Sequence, residues 1–322
     1  MAFRVAIIGC GGIAGGYDMD RFDPNHPLTH AGALAIHSGF SITVCVDPDR
    51  ERATRFASRW GISETLPDAA KLLERAEGLD TVVICSPTSH HGADLDVALR
   101  MRPRLVVCEK PITLSYETSR YWVERFAAEG IPLLVNHTRR WAPDIVRLAE
   151  EIRSGGRGDL RSISGVYNKG LMNNGSHMVD LIRMFVDGCD VIGVGNPVHD
   201  HFPHDPSVPF MLRSRDGIPI TVNTSHAADY ALFELELFTS TGTVRMEAGG
   251  MRFRERSVVD SDEFPGYRVL GSDRVASGEY RGAMAAMVDN QYRFLTTGQR
   301  LACDGGTALD TQRLCAAIKM AA

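Results

Sequence analysis

An acid, a base and a proline follow one another in "VVCEKPIT", directly after the apolar run Leu105–Cys108. If that run is a strand, Glu109 and Lys110 leave it at its carboxyl end, the edge at which open parallel sheets hold their ligands. Pro111, with its locked φ, would set the turn that aims the lysine. A partly desolvated ammonium gives up its proton more readily than one in water. Lys110 is therefore suited to moving a proton or to orienting a hydroxyl group.

A second pattern, "VAIIGCGGIAGG", lies near the N-terminus. Gly9, Gly11 and Ala14 fit G-x-G-x-x-A, with Gly12 and Ile13 inside the turn, and such a turn lets backbone amides approach a pyrophosphate. Asp47 ends the next apolar run, where an acid accepts both hydroxyls of an adenosine ribose and repels a 2'-phosphate. That favours NAD over NADP, while Arg50 nearby pulls the other way. The spacing from turn to acid exceeds the usual figure of about 20 residues. The excess falls in "GYDMDRFDPNHPLTH", a polar, proline-containing stretch read as an insertion, either a lid or a surface loop. "VVICSPTSHHG" adds Ser86, Pro87, Thr88 and His91 at another strand-to-loop junction; Ser89 capping a helix beside solvated histidines would explain the same residues.

These groups need a scaffold, and the first 140 or so residues supply one. Short apolar runs ("FRVAIIG", "SITVCVD", "DTVVICS", "RLVVCEK", "IPLLVNH") alternate with helical patterns ("PDRERATRFASRW", "DAAKLLERAE", "HGADLDVALRM", "YETSRYWVERFAAEG"). Continuous Val/Ile/Leu strands between helices indicate a parallel sheet covered on both faces. From about 158 longer runs alternate polar and apolar residues ("RSISGVYN", "IPITVNTSH", "LFELELFTS", "TVRMEAGGMRFRERSVV"), the pattern of an antiparallel sheet. One helix, "SHMVDLIRMFVDG", interrupts it, and two more, near "AMAAMVDNQYRFL" and "ALDTQRLCAAIKM", close the chain.

Composition narrows the function classes. A length of 322 residues suggests two domains, and 44% hydrophobic with 23% charged residues is ordinary for a globular chain. A net charge of -5 and the lack of a dense basic run argue against a nucleic-acid partner. No apolar stretch approaches the roughly 18 residues of a membrane span, and the N-terminus meets its glycine turn too early for a signal peptide. Seven scattered cysteines without metal-ligand spacing read as small buried hydrophobes in a reducing, cytoplasmic setting. "HDHFPHD" has the look of a loop without a partner cluster, so no metal is expected. Arg252, Arg254 and Arg256 share one face of a strand, expected as an exposed sheet face or a subunit interface.

The glycine turn, "SPTSHH", "CEKP" and "NNGSHMVDLIRMFVDG", in this order, resemble the glucose–fructose oxidoreductase, inositol dehydrogenase and MocA family of pyridine-nucleotide oxidoreductases. The resemblance covers nearly the whole chain. It implies an α/β protein with a Rossmann domain, placed at 1–137, and an α/β domain with a large, mostly antiparallel sheet at 138–322. The closing helix would return to the first domain, and the sheet would join subunits in a homo-oligomer.

Substrates of such enzymes are sugars, nucleotide sugars, cyclitols or related polyols, oxidised or reduced at a secondary alcohol or ketone. The resemblance makes Lys110 a substrate contact and His177, between Gly175 and Asp180, the acid/base group, with Lys110 and His177 converging on the reacting hydroxyl. Many relatives carry an aspartate four residues before that histidine. Here it is Asn173, which can orient an imidazole but brings no charge, so either Lys110 or His177 moves the proton. Asn136, Arg139, Arg140, Lys169 and Asn174 are expected at the substrate, where positive charge suits a phosphorylated, carboxylated or nucleotide-linked sugar, unless the arginine pair serves ordinary salt bridges. Two rival readings remain: a non-catalytic NAD(P)-binding regulator or scaffold, and a dehydrogenase of dihydrodiols or other non-sugar polyols.

Overall fold

The computed structural model describes residues 2–74 and 78–322. In the first half the five apolar runs become β1 (Phe3–Ile8), β2 (Phe40–Val46), β4 (Thr81–Ile84), β5 (Leu105–Glu109) and β6 (Leu133–Asn136), and a short strand that was not expected, β3 (Glu64–Leu66), joins them. Between them lie α1 (His30–Ile36), α2 (Arg50–Trp60), α3 (His91–Met101) and α4 (Tyr116–Ala128). Three of these four helix starts have a side-chain cap; α3 begins after His90 with none, so Ser89 does not cap it. Thr29, Asp49 and Ser115 cap α1, α2 and α4 with side-chain oxygens, and Gly61 ends α2 in a left-handed conformation. The six strands pair in parallel in the order β3-β2-β1-β4-β5-β6, the doubly wound order of a Rossmann fold. Val5, Ile7, Val82, Val83, Val106 and Val107 are fully buried, as strands covered on both faces require.

The second half comprises α5 (Pro143–Arg153), β7 (Leu160–Tyr167), α6 (Ser176–Phe185), β8 (Cys189–Val194), β9 (Val198–Phe202), β10 (Asp205–Ser207), β11 (Phe210–Ser214) and β12 (Pro219–Thr224). It continues with β13 (Phe233–Thr239), β14 (Gly242–Glu247), β15 (Arg252–Asp260), β16 (Arg268–Leu270) and β17 (Arg274–Ser277), before α7 (Ala283–Thr297) and α8 (Gly305–Ala321). Nine strands form one sheet, β16-β15-β14-β13-β7-β12-β11-β8 with β17 on β15; its pairings are antiparallel except β7–β12. Burial alternates along β11, β12 and β13, so Phe210, Leu212, Ile220, Val222, Leu235 and Leu237 share the covered face. Two compact units result, one of residues 1–138 with 281–310, the other of 139–280 with 311–322. All seven cysteines are free and buried.

Several elements differ from the sequence reading. "HDHFPHD", taken as a loop, forms most of the β9–β10 hairpin. "TVRMEAGGMRFRERSVV" is two strands rather than one, broken at Gly249 and Gly250, whose φ values are 69° and 104°. The helix expected over "DAAKLLERAE" is a 3-10 helix, Ala69–Glu74, and its residues 75–77 lie outside the described residues.

The insertion has a definite splice point. The His30 amide donates to the Ile13 carbonyl (3.1 Å) and the Ala31 amide to the Ala14 carbonyl (2.8 Å). In an unbroken helix those carbonyls would receive the amides of residues 17 and 18. The helix is thus interrupted after its first turn, and residues 17–29 are looped out of it. Without them Asp47 falls about twenty residues after Ala14, the usual spacing.

Candidate active site

Gly9, Asp47, Cys85 and Lys110 each directly follow a strand of the parallel sheet, so all leave at its carboxyl edge. Gly9 has φ +90°, and a Cβ there would lie 2.6 Å from the Ser86 amide nitrogen, so the turn admits only glycine. Gly11 differs: a Cβ at this position would meet nothing within 4 Å. That open side is where a diphosphate would approach the turn closed by Ile13 and Ala14. Asp47 is buried, its Oδ2 accepting the Cys10 amide (2.9 Å) and its Oδ1 the Asp49 amide (2.9 Å). Arg52, rather than Arg50, is its basic neighbour, with Nη1 3.3 Å from Oδ1. These residues fit a dinucleotide: an open turn at one end and a fixed carboxylate at the other.

The next two loops are tied together from inside. Ser86 donates to Asp94 Oδ2 (2.5 Å), and burial pushes the Asp94 carboxyl up although that hydrogen bond opposes it. Pro87 is exposed and Thr88 half-buried. His91, expected at the cofactor, is instead turned into the interior. Its Nε2 lies 2.9 Å from the Ser86 carbonyl oxygen and its Nδ1 3.0 Å from that of Pro111, so the ring staples these loops.

Lys110 is half-buried and joins Pro111 through a cis peptide bond. Beside it, Glu109 Oε1 accepts from Asn136 Nδ2 (2.7 Å) and lies 2.8 Å from His30 Nε2. Burial opposes ionisation of Glu109, but His30, Asn136 and the Lys110 ammonium outweigh it and hold the carboxyl below its usual range. Asn136, expected at the substrate, is fully buried and spends its amide on Glu109. His30 escaped the sequence reading because it closes the insertion, 79 residues from its partner.

In the second unit, β7 runs into a π-helical turn, Gly170–Gly175, and then α6, which carries His177 in its first turn. Lys169 is left-handed at φ 66°. Two acids of the β9–β10 hairpin brace this turn. Asp200 Oδ2 accepts the Lys169 amide (2.8 Å), and Asp205 accepts the amides of Met172 (2.8 Å) and Asn173 (2.9 Å). Asn173 Nδ2 donates to the Lys169 carbonyl and Asn174 Nδ2 to the Asn168 carbonyl, both at 3.0 Å, so both amides shape the turn. Asp180 is gripped by Arg140 through two 2.9 Å hydrogen bonds. Arg139 makes no ion pair among the described residues. Its guanidinium stacks on Phe233, 3.9 Å from the ring centroid, and burial lowers its pKa. Asp200 and Asp205 were also missed, since their partners lie some 30 residues away.

A doubly wound sheet with such an edge defines a dinucleotide-binding protein, and the comparisons narrow the class. Residues 3–137 match the model of an oxidoreductase family with an NAD-binding Rossmann fold, the GFO/IDH/MocA family. The match covers the parallel-sheet domain and ends at residue 137 of 322, so what it shows is that this domain is similar to the NAD-binding domain of that family. It is 28% identical over 272 residues to D-apiose dehydrogenase of Paraburkholderia graminis, covering 76% of this chain and 68% of that one. It is 34% identical over 127 residues to scyllo-inositol 2-dehydrogenase (NAD(+)) of Bacillus subtilis, a match spanning 39% of this chain and 36% of the relative. A 3-ketoreductase from Actinomadura kijaniata, solved with NADP and TDP-benzene, superposes with a TM-score of 0.78 at 18% identity, covering 100% of this chain and 98% of that one. At that identity the likeness speaks for the fold.

Proposed function

We propose that the protein transfers a hydride between NAD(P) and a secondary alcohol or ketone of a sugar, nucleotide sugar or cyclitol. The observation that carries this is the sheet edge itself, which sets an open Gly11, a buried Asp47 and a half-buried Lys110 on one side of one parallel sheet. Relatives named for apiose and inositol support the substrate class. Residues 1–137 bind the dinucleotide in this reading, and 138–322 hold the substrate. Asp47, receiving the ribose hydroxyls, favours NAD, although Arg52 beside it offers a cation to a 2'-phosphate. When bound, the nicotinamide supplies the two-electron chemistry.

The chain's own residues handle the proton. Lys110 orients the substrate hydroxyl and moves its proton, with Glu109 fixing the turn that presents it. His177 serves as the second acid/base group, on the turn that Asp200 and Asp205 brace. Arg139 offers a stacked guanidinium to an anionic group of the substrate. Arg245, Arg254 and Arg256 lie with Glu236 and Asp273 on an outward part of the large sheet, proposed as the face joining copies in a cytoplasmic homo-oligomer.

Acid/base catalysis of this type contributes about 10²–10⁴-fold. Lys110→Met should therefore depress turnover by that order while dinucleotide affinity stays near wild type, measured by steady-state kinetics and equilibrium titration. Undiminished turnover would remove Lys110 from the mechanism. A second reading, a dinucleotide-binding regulator, draws on Asn173, whose amide is spent on the Lys169 carbonyl and adds no charge. Binding of NAD(H) without change in nicotinamide absorbance across sugars, nucleotide sugars, cyclitols and dihydrodiols would favour it. Turnover of dihydrodiols alone would favour the non-sugar polyol reading.

A further inference from the structure

Residues 17–29 are looped out of a helix that otherwise resumes its hydrogen bonding across the gap. Such a loop needs no fixed shape to preserve the fold, yet this one is held firmly. Asp18 is fully buried, its Oδ2 accepting the Leu28 amide (2.9 Å) and the Thr29 hydroxyl (2.6 Å), which closes the two ends of the loop on each other. Arg59 of α2 donates to the Met19 carbonyl (3.1 Å) and packs against both Phe22 of the loop and Trp60, 5.3 and 4.6 Å from their ring centroids. Phe22 and Trp60 meet edge to face at 5.3 Å.

The residue beside the buried anchor points elsewhere. Tyr17 lies over the glycine turn, its ring 2.7 Å from where a Cβ of Gly12 would be. It is nevertheless 66% exposed, and its hydroxyl has no hydrogen-bond partner among the described residues. A large aromatic is thus held over the glycine turn with its polar end unbonded to the protein and open to a ligand there. A phenol O–H is a donor that a phosphate oxygen can accept.

We infer that the inserted loop exists to deliver Tyr17 to the cofactor, where its hydroxyl donates to the diphosphate from the side opposite the glycine-turn amides. Tyr17 is then a cofactor-binding residue, and the insertion is a fixed clamp on the dinucleotide. This rests on the dinucleotide reading above.

The test is equilibrium titration of the full-length protein with NADH and with ADP-ribose, which keeps the diphosphate but lacks the nicotinamide. Tyr17→Phe, which keeps the ring, should weaken both by roughly tenfold, the lower end of what a hydrogen bond to a charged group is worth. A variant lacking residues 17–29, with Gly16 joined to His30, should lose at least as much. Wild-type dissociation constants for Tyr17→Phe would overturn the assignment, whether or not the deletion variant folds. A wild-type protein that binds neither NADH nor NADPH would overturn the dinucleotide reading itself, a different failure from the first.

Discussion

At Glu109, burial and charge pull in opposite directions and charge wins. The carboxylate between His30, Asn136 and Lys110 is held below its usual pKa, so its ionised form stabilises the folded state. That contribution is fully present above the unfolded value of about 4.3 and is lost as pH falls through the lower folded value. Glu109→Gln removes the linkage. Its melting temperature should lie below wild type at neutral pH, and the gap should narrow as pH drops below about 4.3. Parallel melting curves across a pH series would show that Glu109 is not stabilised by its neighbours. His91 and Asn136 make the same point: a polar side chain at a sheet edge can face the ligand or hold the loop that does, and burial decides which.

The element that matters most is the glycine turn, because its two leading glycines have different reasons to be glycine. Gly9 is required by the fold: with φ +90° and backbone atoms 2.6 Å from a would-be Cβ, Gly9→Ala should cost roughly 1–3 kcal/mol. Gly11 faces open space, so Gly11→Ala should leave stability within about 0.5 kcal/mol of wild type. It should still weaken dinucleotide binding, because the methyl group takes the diphosphate's place. Chemical denaturation and cofactor titration of the pair separate the two effects. A Gly11→Ala protein that binds NADH as tightly as wild type would place the diphosphate elsewhere. The β9–β10 hairpin illustrates a second kind of element, whose worth lies in two carboxylates that hold the amides of another segment.

For the molecule as a whole, binding and stability are linked. A dinucleotide that binds only the folded chain should stabilise it by about 2.7 kcal/mol at a hundredfold excess over its dissociation constant. Thermal melts with NADH and NADPH at matched concentrations should therefore rank the two cofactors, and the Asp47 reading expects the larger rise from NADH. An equal rise with both would show that Arg52 offsets the repulsion that Asp47 imposes on a 2'-phosphate. Among the described residues no helix is long and apolar enough to cross a membrane.

Much of this was legible in the chain itself. Continuous Val/Ile/Leu runs announced the parallel strands, and the glycine turn, Asp47 and the Glu-Lys-Pro sequence announced their edge, because each is a local pattern with a local physical cause. The short strands β3, β8 to β11, β16 and β17 were not anticipated, since none carries a long continuous or alternating apolar run. The bracing of the 169–175 turn by Asp200 and Asp205, the inward turn of His91, the Glu109–His30 pair and the seat of Tyr17 over Gly12 were decided by tertiary structure alone. Residue types state which groups could react. Which of them is buried, and against what, depends on chain segments brought together only by folding.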